Sequence, residues 1–166
     1  MSNRKSAIIA LGSNLQNPAQ QIRAALAAVA AHRQIKLERT SSLYITAPVG
    51  YDDQPDFVNA VCAVSTDLSA VDLLAVLNQI EADFGRERTF RNAPRTLDLD
   101  IIDYDHQSSD DPHLTLPHPR AHERSFVMKP LAEILPDFEL VQHGNSADIA
   151  ARLGDDGIRL LSEADE

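Results

Sequence analysis

The stretch TLDLDIIDY, residues 96–104, decides the fold because its polar and apolar residues alternate as they do along a half-buried β-strand. Its two leucines fall on one face of this strand, and Asp98 and Asp100 fall on the other face. We call these two aspartates the acidic pair. Asp103 has the opposite parity and lies near the strand's end, where a solvated or turn-forming carboxylate is common.

Two segments before this strand have the apolar periodicity of helices. The first is expected to begin after Asn17, with Pro18 at the first helical position and Gln20 completing a capping-box pattern. The second is expected to begin after Ser69 and to end at Gly85. Each helix should therefore pack one apolar face on a sheet.

Short apolar or β-branched segments predict three more strands, at residues 7–11, 35–45 and 57–65. The resulting order is strand, helix, strand, strand, helix, strand. This order is typical of a ferredoxin-like α+β sandwich, in which helices cover one face of an antiparallel sheet and leave the other face free for a ligand. Further helices are expected near residues 126–135 and 147–153.

Length, charge and hydropathy exclude several classes of protein. The 166 residues suit one domain, 1–166, whose tail from about residue 155 is expected to fray. A formal net charge of -10 opposes nonspecific binding to nucleic acid. No apolar run approaches the roughly 18 residues that span a bilayer, and no secretory signal is evident, so we expect a cytoplasmic protein. The single cysteine, Cys62, lies in an apolar run and should pack in the core.

An arginine-rich segment, residues 86–95, directly precedes the acidic strand. It carries four arginines against one glutamate, in a chain that is otherwise negatively charged. An arginine run or a pair of aspartates alone is more often a solvated surface. Together they favour phosphoryl-type transfer, because arginine forks bind phosphate oxygens and paired carboxylates suit magnesium. The chain has no GxxxxGK[ST] motif, so side chains and metal must replace a Walker-type phosphate cradle.

Several separated motifs resemble the 6-hydroxymethyl-7,8-dihydropterin pyrophosphokinase family of folate biosynthesis. They are ALGSNL, TAPVG, QPDFVNAV, FGRERTFRNAPRTLDLDII and LTLPHPRAHERSFVMKPLAEI, in the family's order over residues 7–138. The resemblance implies a ferredoxin-like fold, two Mg²⁺ ions, and transfer of the β,γ-pyrophosphoryl group of ATP to the pterin hydroxymethyl oxygen, with release of AMP. It also implies that ATP and a reduced hydroxymethyl pterin are the partners. We expect a monomer that binds neither nucleic acid nor membrane.

The resemblance assigns roles to individual residues by motif. The acidic pair, Asp98 and Asp100, would bind both Mg²⁺ ions, and Arg86 and Arg95 would be catalytic by neutralising the phosphates. The pterin would be held by Thr46, Val49, Phe57, Asn59 and Phe126, with the two phenylalanines stacked on the ring. The nucleotide positions are Asn78, Glu81, Ile101, Thr115, His118 and Arg124.

Two positions depart from the family's pattern. Asn92 stands where many members have a tryptophan, and His113 stands where a basic residue is common. Two alternatives remain open, a non-catalytic pterin- or nucleotide-binding paralogue and a metal-dependent phosphohydrolase. Retention of the acidic pair and of the arginines argues against the first. The paired aromatic residues and Asn59 argue against the second, which would need no pterin.

Overall fold

An antiparallel sheet is the centre of the structure, a computed structural model that describes residues 4–14, 17–46, 56–85, 97–155 and 157–162. The strands are β1 (Lys5–Ser13), β2 (Ile35–Thr40), β3 (Tyr44–Thr46), β4 (Phe57–Thr66), β5 (Leu97–Tyr104), β6 (Ser109–Asp111), β7 (Leu114–Leu116), β8 (Glu139–Leu140), β9 (Gly144–Asn145) and β10 (Ile158–Leu160). The helices are α1 (Pro18–Ala31), α2 (Ala70–Gly85), α3 (Ser125–Ile134) and α4 (Ser146–Leu153), and a 3₁₀ turn covers Ala121–Glu123.

The order of strands in this sheet confirms the predicted fold class. Neighbouring strands follow the order β10, β3, β4, β1, β5, and β2 also pairs with β4. Every pairing is antiparallel, and the helices α1 and α2 each connect two strands that are consecutive along the chain but are not neighbours in the sheet. This is the ferredoxin-like βαββαβ arrangement, with the predicted second strand divided in two. Residues 158–160, inside the tail expected to fray, form β10 against β3.

The strand predicted at residues 35–45 is interrupted at Ser41. The backbone N–H of Ser41 donates to the Val61 carbonyl oxygen at 2.8 Å, and the Ser41 hydroxyl accepts from the Val61 N–H at 2.9 Å. The Ser41 hydroxyl thus replaces a backbone carbonyl as the acceptor for the Val61 N–H, and regular strand pairing stops here. It begins again where Tyr44 pairs with Asn59. Alternation along one segment cannot reveal this exchange.

The two helix starts differ from each other. At α2, the predicted cap is confirmed, because the Ser69 hydroxyl accepts a hydrogen bond from the Asp72 N–H at 3.1 Å. At α1, Pro18 is the first helical residue, as predicted, but the Asn17 capping box is wrong. Asn17 has the left-handed conformation, with φ of 56°, and its side chain makes no capping bond.

The first face of the sheet packs against α1 and α2, as the alternation predicts. Its buried cluster includes Ile9 and Leu11 of β1, Leu99 of β5 and Cys62 of β4. Cys62 is fully buried, and burial raises the pKa of its thiol to about 12. The expectation that this cysteine packs in the core is therefore confirmed.

The second face is only partly free, which corrects the expectation that helices cover one face alone. Ile8, Val61 and Ile102 lie on this face and form a second core with α3 and α4. At this end of β1, β4 and β5, consecutive residues are apolar, so both faces must be covered. At the other end the same face carries polar residues, Asn59 and the acidic pair. No helix of the described residues is both long and apolar enough to span a membrane.

A bulge between β1 and β5 corrects the expected orientation of Asp103. Ile8 and Ile9 are consecutive on β1, yet their partners on β5, Asp103 and Ile101, are two residues apart. Ile102 is thus an extra residue, and the alternation reverses beyond it. Asp103 therefore lies on the same face as the acidic pair, not on the opposite one.

Asp103 is fully buried, so the expected solvated carboxylate is wrong and the turn-forming one is confirmed. Its Oδ2 accepts a hydrogen bond from the His106 N–H at 3.1 Å, while Oδ1 has no hydrogen-bond partner within the described part of the chain. Burial raises the pKa of this carboxyl above its ordinary 3.8, although the His106 N–H acts in the opposite direction. Folding therefore favours the protonated form of the Asp103 carboxyl more than the unfolded chain does.

We expect Asp103→Asn to gain stability relative to the natural chain as pH rises. The raised pKa means that Asp103 contributes stability that is complete below its unfolded pKa of 3.8 and is lost as pH rises through the folded pKa. The side-chain oxygen of the neutral asparagine can still accept a hydrogen bond from the His106 N–H, and its contribution to stability does not change with pH over this range. Calorimetry from about pH 4 to 8 should show the variant's midpoint rising relative to that of the natural chain. A difference independent of pH would contradict the prediction.

Candidate active site

One predicted pterin residue, Asn59, and one predicted metal residue, Asp98, lie on the same sheet face in a row across three strands. Asn59 on β4 pairs with Gly12 on β1, and Gly12 pairs with Asp98 on β5. Neighbouring strands are about 4.8 Å apart, so Asn59 and Asp98 are separated by roughly 10 Å. Side chains directed from the two outer strands of this row therefore face a shared space above Gly12.

Asn59 and Thr46 form a buried polar pair at the β4 side of this space. The Asn59 side-chain amide donates to the Thr46 hydroxyl at 2.8 Å, and the two residues are 4% and 8% exposed. The Asn59 Oδ1 lies so close to β1 that a Cβ atom on Gly12 would be 2.9 Å from it. The missing side chain at Gly12 thus leaves room for the amide. An amide and a hydroxyl fixed in this way can form hydrogen bonds with the polar edge of a ring.

Two half-buried phenylalanines are brought to the same face by different elements. Phe57 begins β4 and has the parity of Asn59, while Phe126 lies in the first turn of α3 and packs against the second core. The guanidinium of Arg124 lies 5.5 Å from the centroid of the Phe126 ring. One aromatic face and a cation are therefore combined where α3 begins, and Phe57 lies on the same face of the sheet.

The acidic pair differs in burial along β5. Asp98 is exposed, whereas Asp100 is half-buried. Burial raises the pKa of Asp100, the positive groups of His118 and Arg124 oppose this, and the charge of Asp98 adds to it. Asp100 is thus a partly desolvated carboxylate whose pKa is raised on balance, so its charged form is disfavoured although His118 and Arg124 act in its favour.

The loop that carries His118 is attached to β5 by its backbone. The His118 N–H donates to the Ile102 carbonyl oxygen at 2.9 Å, and the His118 Nδ1 accepts from the Arg120 N–H at 3.2 Å. Burial lowers the pKa of His118, although Asp100 acts in the opposite direction. With Nδ1 accepting, the proton of the neutral ring is on Nε2.

Glu81 reaches the outer edge of β5 from α2. Its Oε2 accepts a hydrogen bond from the Leu99 N–H at 2.7 Å. Burial raises the pKa of Glu81, the Leu99 N–H lowers it, and the charges of the acidic pair raise it further. Sequence reasoning placed Glu81 among the nucleotide positions but did not find this contact, since helical periodicity does not reveal which strand edge a helix residue reaches.

The remaining nucleotide positions are more scattered. Asn78 is exposed on α2, three residues before Glu81. Thr115 lies on β7, where its hydroxyl donates to the Asp111 carbonyl oxygen at 3.0 Å. Ile101 is 4% exposed and its side chain packs in the first core, so only its main chain could contact a ligand.

Four residues singled out in the sequence lie outside the described residues. They are Val49, Arg86, Asn92 and Arg95. The roles assigned to them stay predictions.

The donor atoms of the acidic pair fit magnesium. Within the described part of the chain, no group of three or more His, Cys, Asp or Glu side chains could hold a metal ion by itself. Mg²⁺ characteristically takes one or two carboxylates and completes its shell with water and ligand phosphates. Two carboxylates on one strand face, one of them exposed, suit that mode of binding.

Comparison with known proteins connects this geometry to a family. The sequence model of 7,8-dihydro-6-hydroxymethylpterin-pyrophosphokinase (HPPK) matches residues 8–136. A protein of Pseudomonas aeruginosa is 44% identical over 156 residues, which cover 94% of this chain and 96% of the relative. One of Haemophilus influenzae is 47% identical over 135 residues, which cover 81% and 84% of the two chains. Both relatives are named 2-amino-4-hydroxy-6-hydroxymethyldihydropteridine pyrophosphokinase.

A solved structure gives independent support for the fold. Wild-type HPPK-DHPS of Plasmodium falciparum with pteroate superposes with a TM-score of 0.70 over 92% of this chain, at 13% sequence identity. This chain spans 43% of that longer chain. At such low identity the likeness shows the fold alone. The family match covers well over half of this chain and agrees with the resemblance seen in its motifs, so this chain belongs to the 7,8-dihydro-6-hydroxymethylpterin-pyrophosphokinase family.

Proposed function

We propose that this chain transfers pyrophosphate from ATP to the hydroxymethyl group of 6-hydroxymethyl-7,8-dihydropterin and releases AMP, in folate biosynthesis. The observation that carries this function is the row from Asn59 across Gly12 to Asp98, which lies on one sheet face. Asn59 on one side would bind the ring and Asp98 on the other would bind the metal, about 10 Å apart, and Gly12 places no side chain of its own between them. The family match supports catalysis by a pyrophosphokinase over either alternative.

On the metal side, Asp98 and Asp100 would hold magnesium, and we expect two ions when ATP is present. Bound Mg²⁺ neutralises charge on the triphosphate and orients its oxygens. Arg86 and Arg95 would add positive charge as electrons move toward the departing AMP. Because Asp98 is exposed and Asp100 is partly desolvated, the pair can bind a cation from solvent and hold it in a less polar environment.

On the pterin side, Asn59 and Thr46 would recognise the polar edge of the ring. Their mutual hydrogen bond of 2.8 Å fixes the direction of the Asn59 amide before any ligand arrives. Phe57 and Phe126 would stack on the two faces of the ring, and Val49 would contact its edge. Such a site orients the hydroxymethyl oxygen toward the acidic pair by restricting how the ring can lie.

The nucleotide would lie along the β5 side of the site. His118 and Arg124 are the best-supported contacts, because both act electrostatically on Asp100 and so lie near any phosphates held there through the metal. Asn78, Glu81 and Thr115 are further contacts, and Ile101 would contribute its main chain. The cytoplasmic location, the monomeric state and the single-domain organisation stay predictions.

The reaction predicts AMP, and not ADP, as the nucleotide product. Purified protein with Mg²⁺ and ATP should form AMP in step with the pterin diphosphate, and nucleotide turnover should require the dihydropterin. Chromatography that resolves AMP from ADP measures both. Phosphate release without pterin would indicate the phosphohydrolase, and binding without any turnover would indicate the paralogue.

Replacement of either member of the acidic pair should abolish most activity without unfolding the chain. Asp98→Ala and Asp100→Ala each remove an anionic metal ligand, so we expect turnover to fall about a thousandfold, or roughly 4 kcal/mol of barrier. The thermal midpoint should hold or rise, because repulsion between the two carboxylates is relieved. Asp103→Asn is the matched control, since this buried carboxyl lies on the same strand face beyond the bulge. Its turnover should fall less than about tenfold. If Asp103→Asn lost as much turnover as the two alanine variants, at an unchanged thermal midpoint, the assignment of the metal site to Asp98 and Asp100 would be wrong.

Gly12→Ala should weaken pterin binding through Asn59. The new Cβ would lie 2.9 Å from the Asn59 Oδ1, so the amide must move and its bond to Thr46 is strained. We expect the KM for pterin to rise about tenfold, a change of the size of one lost hydrogen bond, with little change in the KM for ATP.

A double-mutant cycle supplies the control for this prediction. In an Asn59→Ala background the obstacle is gone, so Gly12→Ala should add little to the KM for pterin. Equal effects of Gly12→Ala in both backgrounds would show that the glycine acts independently of Asn59.

A further inference from the structure

Within the part of the chain that the structure describes, β5 is an edge strand, so half of its backbone amides have no described strand beside them. Among the described strands it pairs with β1 alone. Along an antiparallel pair, the amides of successive residues point alternately toward and away from the partner strand. The Leu99 N–H points away, because it donates to Glu81 and not to β1. Leu99 is also the residue between the two members of the acidic pair.

Glu81 reaches this amide from the side of the sheet opposite the acidic pair. α2 packs on the first face, where the Leu99 side chain is buried, whereas the acidic pair lies on the second face. The Glu81 carboxylate therefore extends around the edge of β5 to accept the Leu99 N–H at 2.7 Å. This is a charge-assisted bond at the short end of the usual range.

We propose that Glu81 is a positioning residue that holds the backbone of β5 at Leu99 and thereby sets the relative positions of the Asp98 and Asp100 carboxylates. This inference rests on the proposed metal role of the acidic pair. An edge strand is held by a partner strand on one side only, and a small pivot of its backbone at Leu99 would move the two flanking side chains in opposite senses. Fixing the central amide from the free side limits those displacements, so two carboxylates keep the spacing that near-octahedral Mg²⁺ demands.

The charge of Glu81 is not needed for this role. Its carboxylate experiences repulsion from both Asp98 and Asp100, so a neutral acceptor in the same place would make the same bond at lower electrostatic cost. A direct contact with the nucleotide would instead depend on the particular side chain. The substitution Glu81→Gln, which keeps an acceptor oxygen at the same reach, separates the two roles.

The experiment compares Glu81→Ala, Glu81→Gln and Asp83→Asn with the natural chain. Asp83 is an exposed carboxylate on the same helix that accepts from the Gln79 side chain at 2.9 Å, so its variant controls for the loss of one negative charge. The first measurement is hydrogen exchange of the Leu99 amide by NMR, without metal or nucleotide. The second is the Mg²⁺ concentration that gives half-maximal turnover, together with kcat and the KM for MgATP.

We expect Glu81→Ala to speed exchange at Leu99 by about tenfold and to raise the Mg²⁺ requirement by about the same factor, as the loss of one hydrogen bond would. Amides in the centre of β4 should exchange as before. Glu81→Gln should keep the Leu99 amide protected and recover most of the lost Mg²⁺ response. Asp83→Asn should leave the exchange of Leu99 unchanged.

Three results would overturn the inference. Unchanged exchange at Leu99 in Glu81→Ala would show that the contact does not hold the strand. Faster exchange of the Leu99 amide in Glu81→Ala with an unchanged Mg²⁺ requirement would show that Glu81 protects the edge of β5 but does not position the acidic pair. A Glu81→Gln variant as impaired as Glu81→Ala would assign the effect to charge or to nucleotide contact. Failure of the proposed function would look different, because the natural chain would then form no AMP while its Leu99 amide stayed protected.

Discussion

The antiparallel pairing of β1 between β4 and β5 is the constraint on which the other parts of this molecule depend. At one end of the three strands, consecutive apolar residues such as Ile8 and Ile9 require cover on both faces, and two pairs of helices supply it. At the other end the register aligns Asn59, Gly12 and Asp98 in one row. The same pairing therefore builds the apolar core at one end of the strands and gathers the polar residues of the candidate site at the other end.

Positive groups act on the acidic pair although the chain as a whole is negatively charged. The formal net charge is -10, and the two charges of the acidic pair, which are part of this total, repel any phosphate that approaches. Burial and Asp98 raise the pKa of Asp100, while His118 and Arg124 act against them. The two carboxylates are thus unfavourable neighbours when both are charged, and a cation bound between them would relieve that repulsion.

Sequence reasoning succeeded where a feature depends on neighbours along the chain and failed where it depends on a partner strand. The Ser69 cap and the burial of Cys62 follow from local pattern, and the structure has both. The interruption at Ser41 required knowledge that its hydroxyl would bond across to β4. In the candidate site, the motifs selected Asn59, Asp98 and Asp100, which lie on one sheet face, but the reach of Glu81 and the inward side chain of Ile101 depend on how α2 and β5 pack.

The bulge that defeats simple alternation also contributes to the site. Ile102 has no Cα partner on β1, and an extra residue of this kind leaves backbone groups outside the regular ladder. Its carbonyl oxygen accepts the His118 N–H at 2.9 Å, and this bond ties the loop after β7 to the edge of β5. His118 is thereby held close enough to Asp100 for each to affect the pKa of the other. In a regular strand, side chains would alternate between the two faces along the whole length. In β5, the bulge places Asp103 in the core, and the Ile102 carbonyl oxygen holds the loop that carries His118 beside Asp100. The local irregularity is therefore part of how the sheet positions charge, since it brings a residue distant in sequence to the acidic pair.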